Sequence, residues 1–265
     1  MINAESRVSP SISAKRKECD TLISVITITY NAATVIAPTL ESLNDQSFRN
    51  FEHIVVDGAS TDNTVALIRE MSPDSSVVSE PDKGLYDAMN KGMARARGKY
   101  LLFLNAGDSL HSCDTLAAYA RAIHTNDHPH IVYADTVIVN AERHILGPRH
   151  LSAPSHLTFK SFAKGMLVCH QAFMVSKEIA PEYNTSYRFS ADYEWTLRCL
   201  KKADPCKNIN LNMVAIDYLS DGLTDRNHRA SLKERFHIMS AYYGTIPTIL
   251  RHLGFLLRAL RRRLS

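Results

Sequence analysis

The chain has 265 residues, 45% apolar and 22% charged, which excludes a disordered chain, a collagen-like repeat and a disulfide-stapled miniprotein. Its formal charge of +4 is too mild to indicate nucleic-acid binding, and the arginines at 251, 258, 261, 262 and 263 account for more than all of it. Five cysteines (Cys19, Cys113, Cys169, Cys199 and Cys206) show no C-x-x-C spacing, so neither a zinc ribbon nor a redox motif is expected, and a reducing, cytoplasmic compartment is the simplest reading.

Residues 1–20 are Ser-rich and charged, without the apolar core of a secretory signal, and read as a flexible tail. From Leu22 to Tyr30 the sequence is β-branched and almost continuously apolar, the mark of a strand covered on both faces in a parallel sheet. Val35, Ile36, Leu40 and Leu43 then give one stripe of a helix. The run FEHIVVDGASTDNT predicts a strand ending at Asp57, a glycine turn, capping candidates at Ser60, Thr61 and Asp62, and a helix over Val65–Met71. Val77 and Val78 suggest a short third strand. Leu85, Met89, Met93 and Ala96 share one face of the next helix, with Gly98 as its expected C-cap. KYLLFLNAGD predicts another buried strand running into a turn at Asn105–Asp108.

This β-α-β-α-β-α-β order calls for a doubly wound α/β domain with ligands at the C-terminal ends of its strands. After about residue 130 the pattern is mixed: strand-like IVYADTVIV, AFMVS and MVAIDYL, and a helix near Glu194–Lys202. No run reaches the ~20 apolar residues that span a bilayer. The expected organisation is a tail at 1–20, one α/β domain at 21–230 and a helical segment at 231–265.

The runs VITITYNA, VVDGASTDNT and EPDKGLYDAMNKGMARARGKYLLFLNAGD, followed by CHQAFMVS, YRFSADYEWTLRC and DGLT, stand in an order that resembles family 2 glycosyltransferases of GT-A fold, over roughly residues 22–225. The bacterial exopolysaccharide branch, colanic-acid-like enzymes included, is the most similar. The resemblance implies a mostly parallel Rossmann-like sheet flanked by helices. It also implies an inverting transfer of sugar from a nucleoside-diphosphate sugar to a saccharide acceptor carried on a polyprenyl diphosphate.

Residue by residue, Asp57 lies where that family contacts the base, with Tyr30 and Asn31 as the neighbouring wall; read plainly, Asp57 only shapes its Asp-Gly turn. Asp82, Lys83 and Gly84 form the next strand-end loop, where Lys83 would offset diphosphate charge as a point cation; the plainer reading is a solvated turn. Asn90 matches a family Asn, although an Asn inside a helix equally suits a structural hydrogen bond. Asn105 and Gly107 stand where many relatives carry acidic residues, which leaves Asp108 as the carboxylate ligand for Mg2+ or Mn2+, an ion that would neutralise the departing diphosphate. Asp192 matches the acceptor-side Asp that serves as general base, against a plainer role as helix N-cap. Glu194 is the competing carboxylate. His170 and Gln171 match an acceptor-side segment, with a packed, hydrogen-bonded histidine as the alternative, and His228 is a further conceivable metal ligand.

Ile246, Ile249, Leu250, Leu253, Leu256, Leu257, Leu260 and Leu264 recur at helical spacing, with Arg251, Arg258 and Arg262 on the opposite side and Pro247 marking a break from the helix before. Residues 246–265 are therefore expected to lie on an anionic membrane surface, as a peripheral protein on the inner face of the cell membrane. Two other functions compete with a glycosyltransferase. A sugar nucleotidyltransferase would open with a Gly-rich, basic phosphate loop, where this chain reads TYNAAT. A catalytically silent nucleotide-sugar-binding scaffold would fit the thinned acidic turn, against the retained Asp108 and Asp192.

Overall fold

The computed structural model describes residues 21–220 and 228–264; of His228 and residues 255–264 it describes the backbone. The tail with Cys19, the DGLT run at 221–224, and the side chains of His228 and of the arginines at 258, 261, 262 and 263 lie outside the described residues.

The first half folds as its apolar pattern dictates. Strands β1 (Ile23–Thr29), β2 (Phe51–Asp57), β3 (Ser76–Ser79) and β4 (Tyr100–Phe103) alternate with helices α1 (Ala37–Asn44), α2 (Thr64–Met71) and α3 (Leu85–Arg95). All four strands are parallel, in the order β3-β2-β1-β4. Every residue of β1 is buried, as a strand with helices on both faces must be. The order reverses beside β1, and such a reversal opens a crevice at the carboxyl ends of the strands. Thr29 pairs with Asp57, and Asp57 with Ser79, so β1, β2 and β3 end at one level.

The second half is mixed. It comprises β5 (Ser109–Leu110), α4 (Thr115–Thr125), β6 (Ile131–Val139), β7 (Ile145–Pro148), β8 (Phe173–Ser176), α5 (Ala191–Lys202), β9 (Asn208–Leu219), α6 (His228–Tyr243) and α7 (Thr245–Leu264). The sheet continues from β4 through β8, β6 and β9 to β5, with β7 on β6. Strand β8 is antiparallel to both β4 and β6, while β6 and β9 are parallel. The sheet is thus parallel only in part.

Three local expectations are corrected. Helix α3 ends at Arg95 with an extended Ala96, so Gly98 does not cap it. Gly98 instead runs so close to β1 that a Cβ there would lie 2.5 Å from the Ser24 amide nitrogen. The N-cap of α2 is Asn63, and Asp62 accepts the Thr64 N–H at 3.0 Å from just outside the helix. The break before the C-terminal helix falls at Gly244, with φ of +89°, a backbone state that glycine adopts without steric cost; Pro247 lies in the first turn of α7, where a missing N–H costs nothing.

Candidate active site

Helix α3 begins directly behind the loop that leaves β3, and this loop is the centre of the strand-end crevice. Asp82 Oδ1 accepts the Gly84 N–H at 2.8 Å, which tightens the loop. Its Oδ2 lies over Gly58, where a Cβ would sit 2.6 Å from it and 3.4 Å from the Tyr30 ring. Glycine at 58 therefore lets the β1, β2 and β3 loops meet. Tyr30 is 62% exposed, an open aromatic face beside a carboxylate. The Lys83 ammonium is exposed and makes no hydrogen bond or ion pair among the described residues.

The Asp57 carboxylate is fully buried and accepts the Ser60 N–H at 2.9 Å, the Ser60 hydroxyl, and the Ser79 hydroxyl at 2.6 Å. It shapes the loop from within and presents no oxygen to the crevice, the plainer of its two readings. Asn31 has a positive φ of 47° and accepts the Thr61 N–H at 2.9 Å through Oδ1, while its own N–H goes to Ser60. It latches the β1 loop to the β2 loop.

Asp192 comes from α5. Ser190 is the N-cap of this helix, so Asp192 is its second residue and the cap reading falls. Asp192 Oδ1 accepts the Tyr193 N–H at 2.8 Å and the Tyr86 hydroxyl at 3.2 Å. Both bonds fall on one oxygen; Oδ2 has no hydrogen-bond partner among the described residues. The segment before α5 is held in turn by Glu234 of α6, whose carboxylate accepts the Arg188 and Phe189 N–H groups at 2.9 and 2.8 Å.

Several other candidates turn out to hold the scaffold. Asn90 bridges to the Tyr183 backbone, donating to its carbonyl at 3.0 Å and accepting its N–H at 2.7 Å. His170 is buried between the rings of Phe103 and Trp195, its Nε2 2.6 Å from the Tyr183 hydroxyl. Burial pushes it down to about 4, so it is a neutral packing residue. Glu194 is also buried. It accepts two bonds from Arg198 Nε, at 2.8 and 2.9 Å, and the Tyr242 hydroxyl at 2.6 Å, so it ties α5 to α6 and offers no free oxygen to an acceptor.

The sequence matches the family model described as "Glycosyl transferase family 2" over residues 24–183. The chain belongs to this family. A PGL/p-HBAD biosynthesis glycosyltransferase of Mycobacterium tuberculosis is 35% identical over 186 residues, covering 67% of this chain and 69% of that protein. The putative teichuronic acid biosynthesis glycosyltransferase TuaG of Bacillus subtilis is 25% identical over 83% of this chain and 91% of its own length. Among solved structures, S. aureus TarS residues 1–349 in complex with UDP-GlcNAc superimposes with a TM-score of 0.67 at 17% identity, over 88% of this chain and 73% of that one. A mannosyltransferase from Pyrobaculum calidifontis in complex with GDP-Man and Mn2+ gives 0.59 at 17% identity, over 92% and 80%. The glycosyltransferase is thus of the GT-A fold, with relatives in polysaccharide and glycolipid biosynthesis, and the nucleotidyltransferase alternative is set aside.

Glycosyltransferases of this fold commonly use a divalent cation. At the corresponding turn of this family 2 chain, Asp108 is 4% exposed, and each carboxylate oxygen is taken: Oδ1 by the Leu219 N–H at 2.9 Å, Oδ2 by the Gln171 amide at 2.8 Å. Burial pushes its pKa up to about 7, against the pull of these two bonds and of Arg143. Thr39 accepts the Gly107 N–H and donates to the Asp108 carbonyl, and Arg143 donates to the Gly107 carbonyl at 2.8 Å. Gly107 has φ of +98°, a backbone state that strains any side chain, and a Cβ would lie 2.8 Å from the tip of the Leu219 side chain. Among the described residues, no group of three His, Cys, Asp or Glu side chains converges. Asp108 and Gln171 therefore form a buried rivet, and the donor set does not fit a carboxylate-held ion. Asn105 Oδ1, by contrast, is buried with no partner, an acceptor left waiting for a donor.

Tyr86 is the functional candidate that sequence reasoning missed. Its hydroxyl reaches Asp192 across 106 positions, and its ring stacks on Tyr183 at 5.7 Å. The available signal was a tyrosine in a helix face otherwise filled by Leu and Met. Burial, and next the Asp192 charge, push its pKa far above the ordinary phenol value, so the hydroxyl stays a donor. Tyr86→Phe is expected to lower kcat for transfer about tenfold, the size of one hydrogen bond to a charged group, with KM for the donor unchanged. Steady-state kinetics check it; a change confined to KM would place Tyr86 in donor binding.

Proposed function

We propose that this family 2 enzyme is an inverting glycosyltransferase. It moves a sugar from a nucleoside-diphosphate donor to a saccharide acceptor carried on a polyprenyl diphosphate, in exopolysaccharide assembly. The observation that carries this reading is the state of Asp192: one oxygen is fixed by Tyr86 and the Tyr193 N–H, and the other is open. A carboxylate held in this way is a positioned general base. In the proposed step the acceptor O–H gives its proton to Asp192 Oδ2 while its oxygen bonds to the anomeric carbon. The bond from that carbon to the diphosphate breaks, and the nucleoside diphosphate leaves with the electron pair.

Donor binding falls to the open groups at the strand ends. Tyr30 offers a ring for a nucleobase to stack on, and Asp82 Oδ2 accepts from the base or ribose. Asn105 Oδ1 gains a sugar or ribose hydroxyl that satisfies it. Lys83, a free cation on the same loop, offsets diphosphate charge.

We place the enzyme peripherally on the inner face of the cell membrane. No helix among the described residues is long and apolar enough to cross a membrane. Ile246, Ile249, Leu250 and Leu253 of α7 are, however, 74, 44, 64 and 53% exposed, an apolar face of the kind that lies in the headgroup region. A panel of UDP- and GDP-sugars, screened by thermal shift and then for transfer to a polyprenyl-diphosphate saccharide, with and without Mg2+ or Mn2+, tests the function. At least one donor should raise the melting temperature with its concentration and be turned over with inversion at the anomeric carbon. Binding without turnover would favour the silent scaffold, and retention would overturn the one-step mechanism.

A further inference from the structure

Helix α7 docks with its polar side. Thr248 is fully buried and Arg251 and His252 are half-buried against the protein, while the apolar residues point outward. The guanidinium of Arg251 lies 5.3 Å from the centre of the Tyr243 ring, and that of Arg235, from α6, lies 5.7 Å from the Tyr193 ring. Both tyrosines are fixed: Tyr243 donates to the Phe159 carbonyl at 2.7 Å and Tyr193 to the Phe162 carbonyl at 3.0 Å.

Neither arginine has an ion pair among the described residues, and Arg235 Nε and Arg251 Nη1 are buried without any hydrogen-bond partner. An unpaired buried donor on a charged group is costly, and buried charge is ordinarily paired. The nearby carboxylates are already committed, Glu234 to the Arg188 and Phe189 N–H groups and Glu194 to Arg198 and Tyr242. Two guanidinium groups thus stand over aromatic rings, Arg235 on α6 and Arg251 on α7, the helix that carries the exposed apolar face, with no ion pair among the described residues.

We propose that Arg235 and Arg251 form a receptor for the phosphate of a membrane lipid, the head group entering between the two guanidinium forks while α7 rests its apolar face in the bilayer. Guanidinium suits this ligand because its planar fork donates two parallel hydrogen bonds to phosphate oxygens, and the rings behind it stabilise the cation while it is unliganded. The inference rests on the membrane placement proposed above and adds a chemical preference to it.

The test is flotation with three vesicle types: phosphatidylcholine alone, the same doped with phosphatidic acid, and the same doped with oleate to matched charge. The wild-type chain should bind the phosphatidic acid vesicles about tenfold more tightly than the oleate vesicles, the size of one charge-assisted hydrogen bond. Arg235→Gln with Arg251→Gln should lose that preference. Arg235→Lys with Arg251→Lys keeps the charge without the fork, and should still favour both anionic vesicles while no longer telling them apart. A preference that survives in either pair overturns the site. Leu250→Asp with Leu253→Asp should release the chain from all three vesicles; if it does so while the wild type shows no phosphate preference, the membrane placement stands and the receptor falls. Soluble glycerol phosphate should displace the chain only weakly, since it brings nothing to the apolar face. Full displacement would assign the arginines to a soluble phosphate ester and overturn the lipid commitment.

Discussion

Replacing Asp192 by asparagine is expected to lower kcat/KM for sugar transfer by about 10²–10⁴-fold, the usual worth of a general base, with the donor-induced thermal shift unchanged. The geometry makes this substitution unusually clean. Both hydrogen bonds to the side chain fall on Oδ1, so the asparagine oxygen can occupy that place and keep Tyr86 and the Tyr193 N–H satisfied. The amide nitrogen then stands where Oδ2 stood. It cannot take a proton from an acceptor hydroxyl, and it turns two hydrogens toward it. The variant should melt with the wild type because nothing that holds α5 has changed. Asp192→Ala is a poorer experiment, since it strands the Tyr86 hydroxyl and mixes a stability loss into the rate. Equal turnover by the wild type and Asp192→Asn would remove Asp192 as the base. Glu194 could not inherit the role, because Arg198 and Tyr242 already hold its oxygens.

What could be read in the sequence divides along the range of the interactions involved. Strands β1, β2 and β4 were legible because a parallel strand buried on both faces leaves a continuous apolar run, a signal carried by neighbouring residues. Asp192 was legible as a site residue through its motif, but the fixing of one oxygen was not, because the hydroxyl responsible lies 106 positions away. Gly98 was misread for a similar reason. A glycine shortly after a helix resembles a C-cap, whereas the constraint on it comes from Ser24 of β1. In α7 the apolar period was plain in the sequence, but periodicity does not say which face is docked, and the inward packing of Thr248, Arg251 and His252 appears only with α6 beside it. The acidic turn was the least legible. Asp108, Gln171 and the Leu219 N–H meet from three separate stretches, and a carboxylate inside such a cluster looks, in sequence, the same as one that faces a ligand.

That last distinction can be measured. The contribution of Asp108 to stability should fall between about pH 4, where an unfolded aspartate ionises, and about pH 7, the value to which burial pushes Asp108, while the buried neutral histidines His53 and His170 act in the opposite sense over the same range. Above the first value the unfolded chain has released the proton while the folded chain retains it, so each step up in pH favours unfolding until the folded carboxyl ionises as well. The accumulated loss is on the order of 4 kcal/mol, or roughly 2–4 °C of melting temperature for each kcal/mol. Asp108→Asn, neutral throughout, should remove this contribution, so that the wild type loses stability relative to Asp108→Asn as the pH rises through that range. Its oxygen still accepts the Leu219 N–H, and Gln171 can turn its amide over to receive the new N–H, because the thiol of Cys169 now bonded to its Oε1 can accept as well as donate. Asp108→Ala should be far worse, stranding two buried donors at about 1–3 kcal/mol each. Melting curves across that pH range, with and without Mn2+, decide between rivet and ligand: a rivet predicts the same response to Mn2+ in wild type and Asp108→Asn. A Mn2+-dependent rise in the wild type that vanishes in Asp108→Asn would restore Asp108 as a metal ligand and require its carboxylate to leave Gln171 and Leu219 during binding.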